Sequence, residues 1–226
     1  MSKIAIFYHI FQFGNWREVL AEQIERLRHS ELLDAASYLH IGVNGGNEPL
    51  LIDLNKEHVI RYNPLENLDG EMDTLTDLYN FCVNNLDYKV LYFHTKGVSL
   101  SLADFYSNAV AWRKYLERFN IDNWKKCCEL LNTHDCVGTE WETDMFLGGN
   151  HFIAPCYAGT FWWATAQYIS KLDPSYLFMN PWGEKSRRWQ CEFWIGTGNP
   201  NYYNFYSSGK NKYYNSIIPE EYEQFM

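Results

Sequence analysis

The stretch Phe93-His94-Thr95-Lys96-Gly97 ends a continuous apolar run that begins at Tyr88. An imidazole, a hydroxyl, an ammonium group and the backbone N–H groups of a glycine turn, delivered together by a buried strand, are groups that hold a diphosphate. An ordinary surface turn has the same composition, and its place after a fully apolar strand weighs against that reading. The acidic turn Asp69-Gly70-Glu71-Met72-Asp73-Thr74-Leu75 opens a helix, where carboxylates can hold a divalent cation or a ribose hydroxyl. Helix capping by Asp73 explains the same residues without a ligand and is the preferred reading of this segment alone.

Arg187-Arg188-Trp189-Gln190-Cys191-Glu192-Phe193-Trp194 sets one carboxylate among bulky rings. Partial desolvation raises the pKa of such a group, so Glu192 can accept a proton from a hydroxyl near neutral pH. An ion pair with Arg188 is the alternative, and the sequence leaves both open. Between His151 and Ala164, the small pair Ala158-Gly159 lets another group approach the backbone. The adjacent rings Trp162 and Trp163 cannot both face one core, which predicts that at least one meets solvent or ligand. Along Trp112 to Phe119, the cations Arg113, Lys114 and Arg118 read as a solvated helix face. Arg113, beside Trp112, is the one suited to reach phosphates.

These residues need a scaffold that brings strand ends together. Ile4 to Tyr8 reads as a buried strand, Trp16 to Arg28 as a helix, and Ser37 to Val43 and His58 to Tyr62 as further strands closed by turn residues. A helix starts at Asp73-Thr74, and the apolar run to Phe93 belongs in the centre of the sheet. Phe105 to Phe119 and Asp122 to Leu131 read as helices, and Asp135 to Gly138 as a short strand. His151 to Gly159 follows as a strand ending in a tight glycine, Phe161 to Leu172 as a helix, and Arg188 to Ile195 as a short helix. From Gly196 onward the chain is rich in Tyr, Asn, Ser and Gly and carries no clear element signal. With 226 residues and no linker or repeat, the pattern is that of one α/β domain spanning 1–226.

A formal net charge of −9 argues against nucleic acid as the main partner, because phosphate-backbone affinity needs a basic face. Aromatic residues make up 18% of the chain, with 9 Trp and 17 Tyr, which predicts that some rings face ligands or a partner. The 6 cysteines show no C-x-x-C pair or zinc spacing and read as reduced, mostly buried thiols. The opening strand does not read as a signal peptide, and no apolar run has the length of a transmembrane segment; a cytoplasmic location is the expectation. No G-x-G-x-x-G, Walker A, G-x-S-x-G or H-E-x-x-H motif occurs, which weighs against dinucleotide oxidoreductases, P-loop NTPases, α/β-hydrolases and zincins.

Taken in order, Phe7-Tyr8-His9-Ile10, Val90 to Gly97, Trp112-Arg113, Tyr157 to Ala164 and Glu192-Phe193-Trp194 resemble a family of small GT-A-like glycosyltransferases. These occur in bacterial surface-polysaccharide loci and large DNA viruses, the chlorella-virus capsid glycosyltransferase domain among them. H-T-K-G and G-x-F-W-W are the specific elements. The resemblance implies a single GT-A-like (Rossmann-like) domain with a mixed, mostly parallel central sheet flanked by helices. Residues 1–100 would form the nucleotide-sugar half and 101–226 the acceptor half. It implies a UDP-, GDP- or dTDP-linked donor bound by Tyr8, His9, Asp73, Thr74, His94, Thr95, Lys96 and Arg113. A glycan or glycoconjugate acceptor would meet Tyr157, Gly159, Trp162 and Trp163.

In an inverting enzyme of this kind a late carboxylate is the base; Glu192 fits that order, with Asp144 as second candidate. No D-x-D motif ends the central strand, so Mn²⁺ or Mg²⁺ dependence stays open: Lys96 and Arg113 can neutralise a diphosphate, or Asp73 and Asp77 can recruit a cation. Two other classes stay open. A carbohydrate-binding module without turnover draws on the aromatic excess, and a glycoside hydrolase draws on two carboxylates such as Glu142 and Glu192.

Overall fold

A computed structural model of the chain describes residues 3–52, 54, 57–62, 71–100, 104–143, 154–179, 187–212 and 214–225. The strands are β1 (Lys3–Phe11), β2 (Tyr38–Asn44), β3 (Glu57–Arg61), β4 (Tyr88–His94), β5 (Cys136–Gly138), β6 (Trp141–Glu142), β7 (Cys156–Tyr157), β8 (Trp162–Thr165) and β9 (Tyr202–Asn204). Seven of them form one sheet in the order β3-β2-β1-β4-β8-β5-β9, while β6 and β7 pair as a separate antiparallel ribbon. The first four strands are mutually parallel; β8 runs antiparallel to both β4 and β5, and β9 is parallel to β5. The sheet is therefore mixed and mostly parallel, with β4 at its centre, as the apolar run from Tyr88 to Phe93 predicts.

The α-helices are α1 (Trp16–His29), α2 (Leu32–Ala35), α3 (Met72–Asn84), α4 (Tyr106–Glu117), α5 (Trp124–Leu130), α6 (Ala166–Ile169) and α7 (Arg187–Phe193), with short 3-10 and π turns between and after them. Side-chain alternation along β1 divides the core. Ile4, Ile6, Tyr8 and Ile10 pack with Leu20 and Ile24 of α1 and Tyr115 and Leu116 of α4 on one face. Ala5 and Phe7 pack with Leu75 and Leu78 of α3 and Cys191 and Phe193 of α7 on the other. Among the described residues, no helix is long and apolar enough to cross a membrane.

Two local expectations are corrected. Residues 162–165 are strand β8, not helix, and only 166–169 turn helical. A short apolar run does not distinguish buried strand from buried helix, and pairing with β4 and β5 decides it here. The same alternation explains why Trp162 and Trp163 are both fully buried: they point to opposite faces of a sheet covered on each side, so neither ring reaches solvent. Other aromatic rings are taken up by the core as well. Trp162, Trp163, Trp194, Tyr8, Tyr92, Tyr115 and Tyr157 are among the largest fully buried side chains. Five of the six cysteines are buried as expected, and Cys128 is partly so. The Tyr/Asn-rich tail also packs, adding β9 to the sheet edge and burying Phe205, Ile217 and Tyr222.

Candidate functional site

The direction of chain progression reverses between β1 and β4: β2 and β3 lie on one side of β1, β4 on the other. At such a point the connections leave the carboxyl ends of neighbouring strands in opposite directions and open a crevice, the usual ligand position in open α/β sheets. Here the two carboxyl ends are tied together. The Thr95 N–H donates to the His9 carbonyl at 3.0 Å, and the Phe11 N–H donates to Thr95 Oγ1 at 2.9 Å. The Lys96 N–H is likewise engaged, by the His94 carbonyl at 2.8 Å. The turn therefore does not present the backbone donors of Thr95 and Lys96 to a ligand, and its side chains are what it offers.

Helix α3 brings polar groups to the same place. Its N-cap is Glu71, not Asp73, and Glu71 makes no side-chain capping bond. Its carboxylate turns instead to the end of β4, where Tyr92 Oη donates to Oε2 at 2.7 Å and His94 Nδ1 donates to Oε1 at 2.9 Å. His94 Nε2 donates to the Gly159 carbonyl at 3.1 Å. Both ring nitrogens of His94 thus face oxygen acceptors inside the protein. Burial opposes charge on Glu71, but His94, then His9 and the Tyr92 hydroxyl, override it and hold the carboxyl down at about 2.

Thr74, in the first turn of α3, shares a 2.8 Å hydrogen bond with His9 Nδ1. Thr74 reaches β1 by passing directly over Gly42 of β2: a Cβ there would lie 2.0 Å from Thr74 Oγ1 and 2.8 Å from the Tyr62 ring. Tyr62 Oη donates to Asp77 at 2.6 Å, and His40 stands within 3.5 Å of the same carboxylate. Burial lowers the pKa of both His9 and His40 to about 4, so both rings are neutral at pH 7. For His9, Glu71 and Asn44 oppose the shift, and His94 and His40 add to it.

Several buried polar atoms around this crevice have no hydrogen-bond partner among the described residues. They are His9 Nε2, Thr160 Oγ1, Trp162 Nε1 and both amide atoms of Gln190. Thr160 follows the glycine that His94 contacts, and Trp162 stacks on Tyr92 with ring centroids 5.2 Å apart. Gln190 precedes Cys191, which acts electrostatically on Tyr92. A buried polar group left unpaired costs about 1–3 kcal/mol, so these five atoms are hydrogen-bonding capacity that a ligand at the strand ends can take up, although buried atoms without a partner occur elsewhere in the described residues as well.

The second half of the chain meets the crevice at Gly159. This residue has φ +98°, and a Cβ on it would meet Leu116, Trp112 and Lys96 at 2.7–3.2 Å. Lys96 Nζ lies 3.6 Å from the Trp112 ring centroid, a cation–π contact beside that approach. Beyond it, Glu192 and Glu142 both act electrostatically on buried Cys156.

Residues 7–211 match a family described as Domain of unknown function (DUF8361), a span that takes in every described residue of the crevice from His9 to Gln190. The chain belongs to that family. Among curated proteins, none matches the sequence. In this DUF8361 chain, the residues expected to bind a ligand fall into three sets. His9, Thr74, His94 and Thr95 converge at the crevice, with Lys96 and Gly159 beside them. Asp73 sits in the first turn of α3, where the helix dipole favours an acid. Tyr8, Tyr157, Trp162 and Trp163 lie inside the core; Tyr8 Oη donates to Gln23 at 2.7 Å and Tyr157 Oη to the Tyr203 carbonyl at 2.8 Å.

Arg113 is also buried, and its guanidinium faces Glu22 at 2.7 Å and Glu117 at 3.4 Å. Asp144 lies outside the described residues. Glu71, Tyr92 and Gly42 were not singled out by sequence. A glycine inside a strand pattern is a signal of close approach and points to Gly42; choosing Glu71 over Asp73 needs the phase of α3, which the sequence leaves free. For a divalent ion the fit is poor: both Glu71 oxygens are engaged, Asp77 is bonded to Tyr62, and among the described residues no three His, Cys, Asp or Glu side chains are grouped to hold a metal.

Proposed function

We propose that this chain is a GT-A-like glycosyltransferase that moves a sugar from a nucleotide-activated donor to a glycan or glycoconjugate acceptor. The observation that carries the reading is the set of open buried polar atoms near the carboxyl ends of β1 and β4 and the amino end of antiparallel β8, beside the Glu71–His94 pair. The His94 ring and the Lys96 ammonium are the basic groups placed to meet a diphosphate, and neutral His9 and Thr74 supply hydrogen bonds to the nucleoside portion. In the transfer, the acceptor oxygen bonds to the anomeric carbon as the bond from that carbon to the phosphate oxygen breaks. Glu192 takes the acceptor proton, and the nucleoside diphosphate leaves with the electron pair.

The test is transfer from a panel of UDP-, GDP- and dTDP-sugars to a mixed glycan acceptor. The reading expects nucleoside diphosphate release that depends on acceptor, lost in Glu192→Gln with donor binding retained. Near-normal transfer in Glu192→Gln would remove Glu192 from the role, and no turnover with any donor would remove the reading.

One observation favours a second reading. Glu142 and Glu192 both act electrostatically on the Cys156 thiol, so two carboxylates, the set that glycoside hydrolysis uses, are within range of one group. Sugar release from a glycan without activated donor distinguishes it.

A further inference from the structure

The ring of Trp112, in α4, takes no part in the proposed transfer, yet it is the surface on which Lys96 lies. Lys96 Nζ stands 3.6 Å from the ring centroid, a close cation–π contact. Trp112 itself is 6% exposed, so the core sets its position. Gly159 supplies a second wall. A Cβ there would lie 3.2 Å from Lys96 Cε and 3.1 Å from Trp112 Cζ2, so a bare Cα is what lets the lysine stem and the ring come together beside it. With φ +98°, the position also favours glycine on backbone grounds. The backbone of Lys96 is held from the same helix. Arg113, the next residue of α4, donates from Nη1 to the Lys96 carbonyl in a long 3.5 Å bond, and the Lys96 N–H donates to the His94 carbonyl at 2.8 Å. Gly97, with φ +88°, then turns the chain past Ala109 of α4.

A lysine side chain has more rotamer freedom than most, so an ammonium left in solvent beside a crevice is spread over many positions. Ordering it before a ligand arrives removes that cost from binding. A ring quadrupole is suited to the task, because it holds an ammonium without cancelling its charge and leaves the field available to an anion. The second ammonium near this ring has another anchor. Lys212 Nζ is 5.9 Å from the Trp112 centroid but 2.8 Å from Glu140 Oε2, and it also contacts Glu142 Oε1. Of the two lysines, Lys96 is therefore the one that the ring orders, and it is the one that follows Thr95 at the carboxyl end of β4.

We propose that Trp112 is a positioning residue: with Gly159 it forms a slot that holds the Lys96 ammonium beside the crevice, ordered in advance for the phosphate groups of the donor. This inference rests on the nucleotide-sugar reading of the crevice and adds to it a residue that acts through Lys96.

The test uses the full chain with a polyfluorinated tryptophan at position 112, which keeps the shape of the ring and drains its π density, beside Trp112→Leu, Lys96→Met and the double variant. Affinity for UDP, GDP and dTDP is measured by calorimetry. Losing the cation–π contact is expected to weaken binding about twofold to thirtyfold, with the fluorinated ring and in Trp112→Leu alike. In the Lys96→Met background the same changes are expected to add nothing, since the ring then has no ammonium to hold. Unchanged affinity with the fluorinated ring, or an equal further loss in the Lys96→Met background, would overturn the proposal while leaving the donor site standing. If Trp112→Leu does not fold, the fluorinated ring carries the same comparison at constant shape. Wild type that binds none of the three nucleotides would remove the glycosyltransferase reading and the phosphate role of Lys96 with it. The slot itself is read separately from the Lys96 ε-methylene protons. Resonances moved upfield by the Trp112 ring support it, and resonances at the ordinary lysine position overturn it.

Discussion

On the α1–α4 face of β1, Arg113 and Arg26 stand among Glu22, Glu117 and Asp122, with Arg26 making two 2.7 Å bonds to Asp122 and a third to Glu117. Gln23 joins that network to Tyr8 and to the His94 carbonyl. On the α3 face, Glu71, His94, His9 and Thr74 are also tightly bonded, yet His9 Nε2, Thr160, Trp162 and Gln190 keep polar atoms with no partner among the described residues. The first region is the more highly charged and pairs its charges within the protein. The second has fewer charges and leaves hydrogen-bonding capacity open at the strand ends. Arg113 Nε also lacks a hydrogen bond among the described residues, so open valence alone does not mark the site; Arg113 belongs to the framework because its guanidinium is turned to Glu22 and Glu117, and His9 to the crevice because it stands at a strand end.

That contrast predicts a graded set of effects. Arg113→Ala removes one of the two cations on buried Glu117, leaving Arg26, and is expected to cost about 3 kcal/mol in denaturant unfolding, while any folded fraction keeps its ligand. A stable Arg113→Ala chain that has lost nucleotide binding would move Arg113 into the site.

Acid is expected to act chiefly through the crevice. His9 and His40 fall to about 4 from an ordinary 6.5, so between these values the unfolded chain binds more protons and stability drops as pH falls. Glu71, held at about 2 against an ordinary 4.5, adds a further loss below about pH 4.5. Stability measured against pH should fall less steeply between 6.5 and 4 in His9→Gln than in wild type; parallel curves would contradict the assignment. Gly42→Ala should push α3 away from β2, at a cost of about 1–3 kcal/mol, and weaken ligand binding with it. Glu192→Gln is expected to change stability by less than about 0.5 kcal/mol while abolishing transfer, because the half-buried side chain is assigned to chemistry.

The scaffold was legible because the first strands and helices repeat cleanly at periods of two and 3.6. Ile4–Tyr8, Val19–Leu27 and Tyr88–Phe93 each carry one unambiguous signal, and the central place of β4 follows from its unbroken apolar run. Trp162–Thr165 failed because four apolar residues fit helix and strand equally, and a partner strand settles the matter. The crevice was half legible: His94, Thr95 and His9 stand at strand ends, where polar residues after apolar runs are conspicuous. Glu71 was obscured by Asp73, a better capping residue two positions on. Lys212 was out of reach, since nothing local in a Tyr/Asn-rich tail indicates that its ammonium returns to Glu140 more than seventy positions earlier in the chain.

The most direct test of the crevice as a nucleotide-sugar site is thermal stabilisation of wild type and His94→Ala by nucleoside diphosphates and their sugars, with Mn²⁺ or with EDTA. A ligand that binds only the folded chain raises the midpoint. The account predicts a rise with one nucleotide class in wild type, present in EDTA and lost in His94→Ala. No rise with any nucleotide, or an undiminished rise in His94→Ala, would contradict it.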